Sequence, residues 1–384
     1  MNHEPHQNRI DSIDALRGLA VMGILWVNLP GHAFSFYAYS DPTLAGGDGL
    51  NVSVWHLSAT VVEGTMRGLF SFLFGIGAAL RFQSGIKPKP YFIRYFWLML
   101  FGAFHGTILL MPGDVLLAYG IVALFLLPLR NVGVKGLIAI SIISTISLAA
   151  LAALDAYETS ILGAFHPPTI DQLGHASYGE VFDLYTIEYF YYIFSADFIA
   201  LFLDAYIMMT LGMAAYKSGF FDENKKVSRN TIAAAMIFIT LGLVARFYCT
   251  KIDELTFYSG AYWPTAALRE LARPVLTLGY AILFIFAWRL GILNWASKSL
   301  IALGRMALTN YLMQTIIAIF LFYGFGLGLY NDFNRIQLIP IIAAIWVTQI
   351  IYSRVWLSKF PQGPFEWLWR RLSSLGRAAS ILEK

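Results

Sequence analysis

The sequence has few charged residues and one cysteine, and both shortages exclude classes of protein. Asp, Glu, Lys and Arg make up 13% of the 384 residues, against roughly 25% in soluble domains. Cys249 is alone, so one chain can form neither a disulfide framework nor a cysteine-based metal site. The sequence also lacks G-x-S-x-G, H-E-x-x-H, a P-loop and G-x-G-x-x-G after a strand, the usual fingerprints of soluble enzymes.

Long apolar segments dominate the chain instead. Hydrophobic residues make up 58% of it, and segments able to cross about 30 Å of hydrocarbon recur from end to end. We therefore predict an all-α, polytopic transmembrane helical bundle that forms one integral-membrane domain over residues 1–384. The lipid bilayer is the first expected partner, and the net charge of +4 gives no indication of nucleic-acid binding. The pattern predicts ten spans, at 12–34, 53–82, 91–111, 114–129, 134–153, 193–216, 230–249, 265–287, 299–323 and 336–357.

The distribution of Lys and Arg between the predicted spans indicates their orientation. Basic residues concentrate in alternate joins and in the tail, whereas segments 35–54 and 154–192 contain none. We expect both termini on the cytoplasmic side and 154–192 as an outer loop or cap, with an interfacial helix in its Tyr-rich part. That loop is either a plain folded cap or a lid over an outward-facing site. The tail, 358–384, is expected to form a cytoplasmic amphipathic helix in which Glu366 can pair with Arg370.

The first predicted span carries a polar stripe within the segment RIDSIDALRGLAVMGILWVN, residues 9–28, and just beyond it. At helical spacing, Asp14, Arg17, Asn28 and His32 fall within a sector of about 60°. Arg17 and Asn28 are about 16 Å apart along the helix axis, so the stripe reaches both halves of the membrane. In a structural interpretation Arg17 reaches the inner headgroups and pairs with Asp14. In a functional one the stripe faces the bundle interior.

Other polar residues fall within the predicted spans. His105 lies in the third span, and a tight turn leads from it to Asp114. This pair fits either a general base with its orienting carboxylate or a satisfied core histidine. Glu63 and Arg67 have the i, i+4 spacing of a structural ion pair. Asp197 and Asp204 share a face of the sixth span and could bind a proton or cation or line a wet seam.

Several sequence blocks carry a resemblance to a known family. Together they resemble the YeiB-like family of bacterial inner-membrane proteins over the whole chain, which implies a bacterial inner-membrane location. The first block is also similar to the first helix of transmembrane acyltransferases. Eleven residues after the arginine, acyltransferase-3 proteins carry His, whereas the heparan-glucosaminide N-acetyltransferase group carries Asn, as this chain does at Asn28. The blocks are RIDSIDALRGLAVMGILWVN, RGLFSFLFGIGAAL, HGTILLMPGDVLLAYG, GRMALTNYLMQTIIAIFLFYGFGLGLY and WLSKFPQGPFEWLWRRL.

The acyltransferase resemblance implies a donor, an acceptor and roles for the polar residues. The donor would be cytoplasmic acyl-CoA, and the acceptor a small molecule, glycan or lipid at the far side of the membrane. Arg17, with Asp14, would hold the donor, and Asn28 would contact the thioester oxyanion or orient the acceptor. His105 with Asp114, or else His32, would act as the base.

Two other functions remain open from the sequence. A carrier of a small metabolite would use Arg17, Asp197 and Asp204 to bind substrate or ions, and a membrane scaffold would need no site at all. The polar stripe that reaches both faces argues against the scaffold. Helical bundles of this kind often pair, so a homodimer is a further expectation.

Overall fold

The computed structural model describes residues 10–34, 36–39, 41, 45–162, 173–222, 228–256 and 263–382. The prediction of an all-α protein is confirmed, because these ranges contain helices and turns and no strand. The helices are α1 (Asp11–Ala33), α2 (Gly49–Leu57), α3 (Thr65–Gln83), α4 (Pro88–Thr107), α5 (Leu116–Leu126), α6 (Val134–Leu162), α7 (Tyr178–Ile193), α8 (Ala196–Lys217), α9 (Arg229–Thr256), α10 (Trp263–Arg289), α11 (Asn294–Arg305), α12 (Ala307–Phe322), α13 (Arg335–Lys359) and α14 (Pro364–Leu382).

The helices make the chain a multi-pass membrane protein. Among the described residues, six helices are long and apolar enough to cross a membrane, namely α1, α6, α8, α9, α10 and α13. The bent pair α11 and α12 makes a seventh if it counts as one span. Helices α3, α4 and α5 occupy the remaining predicted spans but are not among these seven. The predicted number of ten spans is therefore approximate.

The bundle has two ends, which we call the basic face and the opposite face. The basic face holds the start of α1, where Ile10, Gln83, Arg130 and Tyr216 line one pocket. The opposite face holds the end of α1 together with α2 and α7, and there Asn331 N donates to the Ala33 carbonyl at 2.9 Å. Successive helices thus cross the bundle in alternate directions, as the predicted spans require. Lys225 and Lys226, which contributed to the predicted orientation, and residues 163–172 of the predicted cap lie outside the described residues.

The described parts of the predicted cap, 154–162 and 173–192, are mostly helical. Helix α6 continues through its first part as far as Leu162, and α7 forms in its second part from Tyr178 to Ile193. A capping box starts α7, because Ser177 Oγ accepts from Glu180 N and Glu180 Oε2 accepts from Ser177 N. A helix is therefore present in the Tyr-rich stretch, as predicted, and its Tyr191 side chain is exposed.

The span predicted at 53–82 is broken. A π-helical turn, Ser58–Val62, follows α2, and α3 starts only at Thr65. Gly64 lies at the break with φ +67°, and a Cβ there would lie 2.5 Å from Arg273 Nε. Glycine is required for both reasons, since other residues rarely adopt this backbone conformation and would collide with the arginine.

A buried arginine from α9 satisfies the backbone at this break. Arg246 Nε donates to the Thr60 carbonyl at 3.0 Å, and Nη2 donates to the Glu63 carbonyl at 2.9 Å. Nη2 also donates to the Ala59 carbonyl. Non-helical backbone at membrane depth needs such partners, because hydrocarbon supplies none. The hydrogen bonds of Arg246 thus stabilise the break within the fold.

The span predicted at 299–323 is also broken, because α11 and α12 meet at an angle of 81°. The end of α11 packs backbone to backbone against the start of α1. A Cβ at Gly304 would lie 1.8 Å from the Asp14 carbonyl oxygen, and one at Gly18 would lie 2.2 Å from the Leu300 carbonyl oxygen. These small residues allow the close approach of the two helices.

Helix α14 confirms the helix predicted in the tail and gives Glu366 a role that the predicted pairing with Arg370 did not include. Glu366 Oε1 accepts from Leu308 N at 2.7 Å and from Thr309 N at 3.0 Å, and Oε2 accepts from Thr309 Oγ1 at 2.6 Å. Glu366 thereby caps the start of α12 beyond the bend. Burial raises the pKa of this carboxyl, and the hydrogen bonds from Thr309 act in the opposite direction.

Candidate functional site

His105 and Asp114, predicted as a pair, are in contact in the opposite half of the bundle. His105 lies in the last turn of α4, and Asp114 lies in the turn before α5. His105 Nδ1 is 2.7 Å from Asp114 Oδ1, and His105 Nε2 is 2.8 Å from Oγ1 of Thr315, on α12. The side chains of His105 and Asp114 are 0% exposed. We call His105, Asp114 and Thr315 the His105 cluster.

The local backbone fixes the orientation of Asp114. Its second oxygen, Oδ2, accepts from Leu117 N at 3.0 Å, so the carboxylate also caps the start of α5. Gly102 of α4 allows this close packing, since a Cβ there would lie 2.7 Å from Asp114 Oδ2 and 2.2 Å from Leu117 N. The carboxylate is therefore held on both sides before any substrate arrives, as a catalytic orienting group must be.

The His105 cluster has the geometry of a base that contacts a hydroxyl group. When Nδ1 carries the proton and donates to Asp114, Nε2 can accept from the Thr315 hydroxyl. The same contacts also satisfy a structural core histidine, because both ring nitrogens have partners. Chemistry on a substrate therefore requires a substrate hydroxyl to take the place of Thr315 on Nε2.

His32 lies near this cluster but belongs to a separate chain of hydroxyl groups. It is buried in the last turn of α1, and its Nδ1 is 3.1 Å from Tyr323 Oη. Tyr323 Oη in turn donates to Tyr185 Oη on α7 at 3.2 Å. His32 and His105 both lie in the last turns of their helices, in the opposite half of the bundle. Asn28, one turn earlier on α1, is half-buried.

Arg17 and Asp14 form the ion pair of the structural interpretation. Arg17 Nη1 donates to Asp14 Oδ1 at 2.8 Å, with the two side chains 27% and 6% exposed. Arg17 lies six residues into α1, about 9 Å from the basic face, and so in the other half from His105. A pocket of about 800 Å³ opens on that face and reaches α1 at Ile10, but Arg17 does not line it.

A second polar cluster was not predicted from the sequence. Arg67 Nε donates to Asp204 Oδ2 at 3.1 Å, and Arg273 Nη1 donates to Asp204 Oδ1 at 3.2 Å. Arg273 also donates to both carboxylate oxygens of Glu270, at 2.6 and 2.7 Å. We call these four residues the Arg67 cluster. The predicted pair of Arg67 with Glu63 is wrong, because the helix breaks between the two residues and Arg67 binds Asp204 instead.

The signal that could have indicated this cluster was the presence of charges within predicted spans. Asp204 was noted for sharing a helix face with Asp197, yet Asp197 is exposed in the first turn of α8 and Asp204 is buried. Arg273 and Glu270 carry the same signal, because both lie within the predicted span 265–287. The cluster forms only where α3, α8 and α10 meet, which a single sequence does not show.

Tyr119 of α5 contacts Arg67. Tyr119 Oη donates to the Arg67 carbonyl at 3.2 Å and accepts from Ser71 Oγ at 2.7 Å. Tyr119 interacts electrostatically with both Arg67 and Asp114, and so does Tyr192 near the end of α7. The His105 cluster and the Arg67 cluster both lie in the opposite half of the bundle. Within the described residues, no group of three or more His, Cys, Asp or Glu side chains is arranged to hold a metal ion.

Comparison with known proteins finds relatives over nearly the full length. Residues 215–376 match a family model described as "Protein of unknown function (DUF418)". The chain is 30% identical to "Uncharacterized protein YeiB" of Escherichia coli (strain K12), over 94% of this chain and 95% of the relative. It is 28% identical to "Uncharacterized protein YxaH" of Bacillus subtilis (strain 168), over 96% and 94% respectively. No solved structure matches the chain.

Proposed function

This chain belongs to the YeiB-like family, and on that premise we propose that it is a membrane acyltransferase. It would move an acyl group from cytoplasmic acyl-CoA to a small-molecule, glycan or lipid acceptor at the outer side of the membrane. The observation that carries the proposal is the His105 cluster, in which an imidazole held by a buried carboxylate contacts a hydroxyl group. An acyltransferase needs such a base to deprotonate its acceptor.

The proposed reaction is a single displacement. The acceptor hydroxyl replaces Thr315 on His105 Nε2 and gives it its proton as the oxygen attacks the thioester carbonyl. The new ester C–O bond forms, the C–S bond breaks, and the proton passes to the CoA thiolate. Asp114 stabilises the imidazolium during this transfer. Asn28, in the half of α1 nearer the opposite face, donates to the oxyanion.

The donor enters from the basic face in this proposal. The Lys and Arg residues at the basic face support a cytoplasmic location for that face, with both termini on the cytoplasmic side of a bacterial inner membrane. Arg17 is partly exposed and uses one terminal nitrogen for Asp14, so a further N–H pair can bind the donor. The pocket that begins at Ile10, seven residues before Arg17, offers room for the nucleotide end of CoA.

The test is transfer of label in proteoliposomes. Acetyl-, octanoyl- and palmitoyl-CoA, each labelled in the acyl group, are offered outside vesicles that contain the source cell's small-molecule extract and lipids. We expect the label of at least one donor to appear in a lumenal or lipid product, with release of CoA, and empty vesicles serve as the control. If no donor is consumed above that control, the acyltransferase proposal fails.

The second candidate is a carrier of a small metabolite. The observation that favours it is the Arg67 cluster, since paired charges inside a bundle often mark the pathway of a substrate or ion. The same vesicles distinguish the two functions, because a carrier brings an extract compound across the membrane chemically unchanged and leaves acyl-CoA intact.

A further inference from the structure

We propose that Arg67 binds an oxyanion, a carboxylate or phosphate group of a ligand that reaches the opposite half of the bundle. The ligand is either a soluble metabolite or a lipid headgroup, both of which present the same chemistry. The proposal goes beyond acyl transfer, because it holds equally for an acceptor of the enzyme and for the cargo of a carrier.

Arg67 is the accessible cation of its cluster. Its side chain is 34% exposed, whereas those of Asp204 and Arg273 are 4% and 10% exposed. The neighbours of Arg67 come from the bundle interior, namely Asp204 on α8 and Tyr119 on α5. The Arg67 side chain therefore has partners in the bundle interior while part of it remains exposed. A partly exposed arginine in such a position is a candidate for substrate binding.

The hydrogen bonds of Arg67 leave its binding fork available. Nε is anchored to Asp204 Oδ2, and among the described residues no hydrogen bond of Nη1 or Nη2 is present. A guanidinium held at Nε keeps two parallel N–H groups that match the geometry of a carboxylate or phosphate. Anchoring also reduces the side-chain entropy lost when a ligand binds.

The distribution of charge leaves Arg67 less neutralised than Arg273. Arg273 engages both oxygens of Glu270 and one oxygen of Asp204. Arg67 has only the other oxygen of Asp204. The positive potential that remains lies on the exposed side of Arg67, where an anion is favoured.

A second buried donor points to the same place. Arg273 Nε has no hydrogen-bond partner among the described residues, although the residue is buried. It lies beside Gly64, directly before the first turn of α3, and Arg67 is in that turn. The start of a helix also favours negative charge. An unsatisfied buried donor, an open guanidinium and a helix start thus converge at the break before α3.

Access comes from the opposite face. Asp204 is eight residues from the start of α8, about 12 Å along its axis. Helix α7 ends at Ile193, just before that start. We therefore expect the ligand to enter from the opposite face, so that its anionic group meets Arg67 at a depth where hydrocarbon would otherwise exclude it.

The test is arginine modification by phenylglyoxal, mapped by peptide mass spectrometry on the purified full chain. Arg246 is 2% exposed and provides an unreactive internal reference. Inorganic phosphate and dioctanoyl phosphatidate are the two probes, and dioctanoylglycerol is the uncharged control lipid. We expect Arg67 to react faster than Arg246, and at least one anionic probe to slow it several-fold. Protection by phosphate indicates a soluble ligand, and protection by phosphatidate alone indicates a lipid headgroup.

A variant pair supports the labelling. The protecting probe should raise the Tm of the wild type, and Arg67→Lys, which keeps the charge but loses the fork, should abolish that rise. The matched control, Arg354→Lys, changes an exposed arginine and should keep the rise in Tm. The proposal is overturned if Arg67 reacts no faster than Arg246, if neither probe protects it, or if a probe slows every arginine equally. Because the labelling uses the wild type, a variant that fails to fold does not affect it.

Discussion

The two polar clusters of the opposite half differ in how completely their side chains are satisfied. In the His105 cluster both ring nitrogens have partners, and neither the imidazole nor the Asp114 carboxylate is exposed. In the Arg67 cluster the Arg67 guanidinium is held at one nitrogen, and the Arg67 side chain is 34% exposed. A closed cluster fixes the orientation of its members, whereas an open one leaves donors for a ligand. In our proposals His105 therefore carries the chemistry and Arg67 the binding.

Asp204→Ala should have the largest effect on stability. The substitution leaves Arg273 buried beside Glu270 alone and removes the anchor of Arg67. Removing one partner of a buried ion pair costs about 3 to 5 kcal/mol, and we expect a loss of that order in the free energy of unfolding. Denaturant unfolding in one fixed detergent measures it.

Asp197→Ala is the matched control for Asp204→Ala. Asp197 lies on the same helix but is exposed, so its removal should change the free energy of unfolding by no more than about 0.5 kcal/mol. Equal effects of the two substitutions would show that the carboxylate of Asp204 does not hold the open cluster together.

Arg17→Lys extends the comparison to the basic half. In the structural interpretation the free energy of unfolding should change little, because lysine can still pair with Asp14 and a partly exposed pair contributes about 1 kcal/mol or less. The donor role expects acetyl-CoA binding to weaken by about one to two orders of magnitude, from the loss of a charge-assisted contact of about 1.5 to 3 kcal/mol. Equilibrium binding at matched folded protein decides, and an unchanged affinity would leave Arg17 with a structural role only.

Glu366→Gln tests the cap at the start of α12 and should have the smallest effect. The neutral side chain can still accept hydrogen bonds but loses its charge at the start of α12, for which we expect a loss of about 1 kcal/mol. The Tm in detergent measures it. Trp367→Ala, at an exposed neighbouring position, should leave the Tm nearly unchanged, and a larger drop there would mean that α14 is held mainly by its apolar face.

The His105–Asp114 contact could be predicted because it is local. Only nine residues separate the two, and the turn that joins α4 to α5 brings their side chains together. Thr315 comes from α12, two hundred and ten residues after His105, and no pattern in one sequence marks it. The Arg67 cluster was missed for the same reason, since its members come from three helices.

The helix breaks show a second limit of sequence patterns. Hydropathy averages over a window about as long as a span, so residues 53–82 and 299–323 each predict one continuous helix. The partner that makes the first break stable is Arg246, on α9, which satisfies the freed carbonyls. The partner at the second is Glu366, which caps α12 from the tail. In both cases the stabilising residue is distant in sequence and leaves no mark at the break itself.

The most direct test of the central claim compares the wild type with His105→Gln for both acetyl-CoA binding and label transfer, at matched folded protein. The account holds that His105 acts on the acceptor and does not contact the donor's nucleotide. We therefore expect His105→Gln to bind acetyl-CoA as the wild type does and to transfer label about 10² to 10⁴ times more slowly. Transfer at the wild-type rate by His105→Gln would contradict the account.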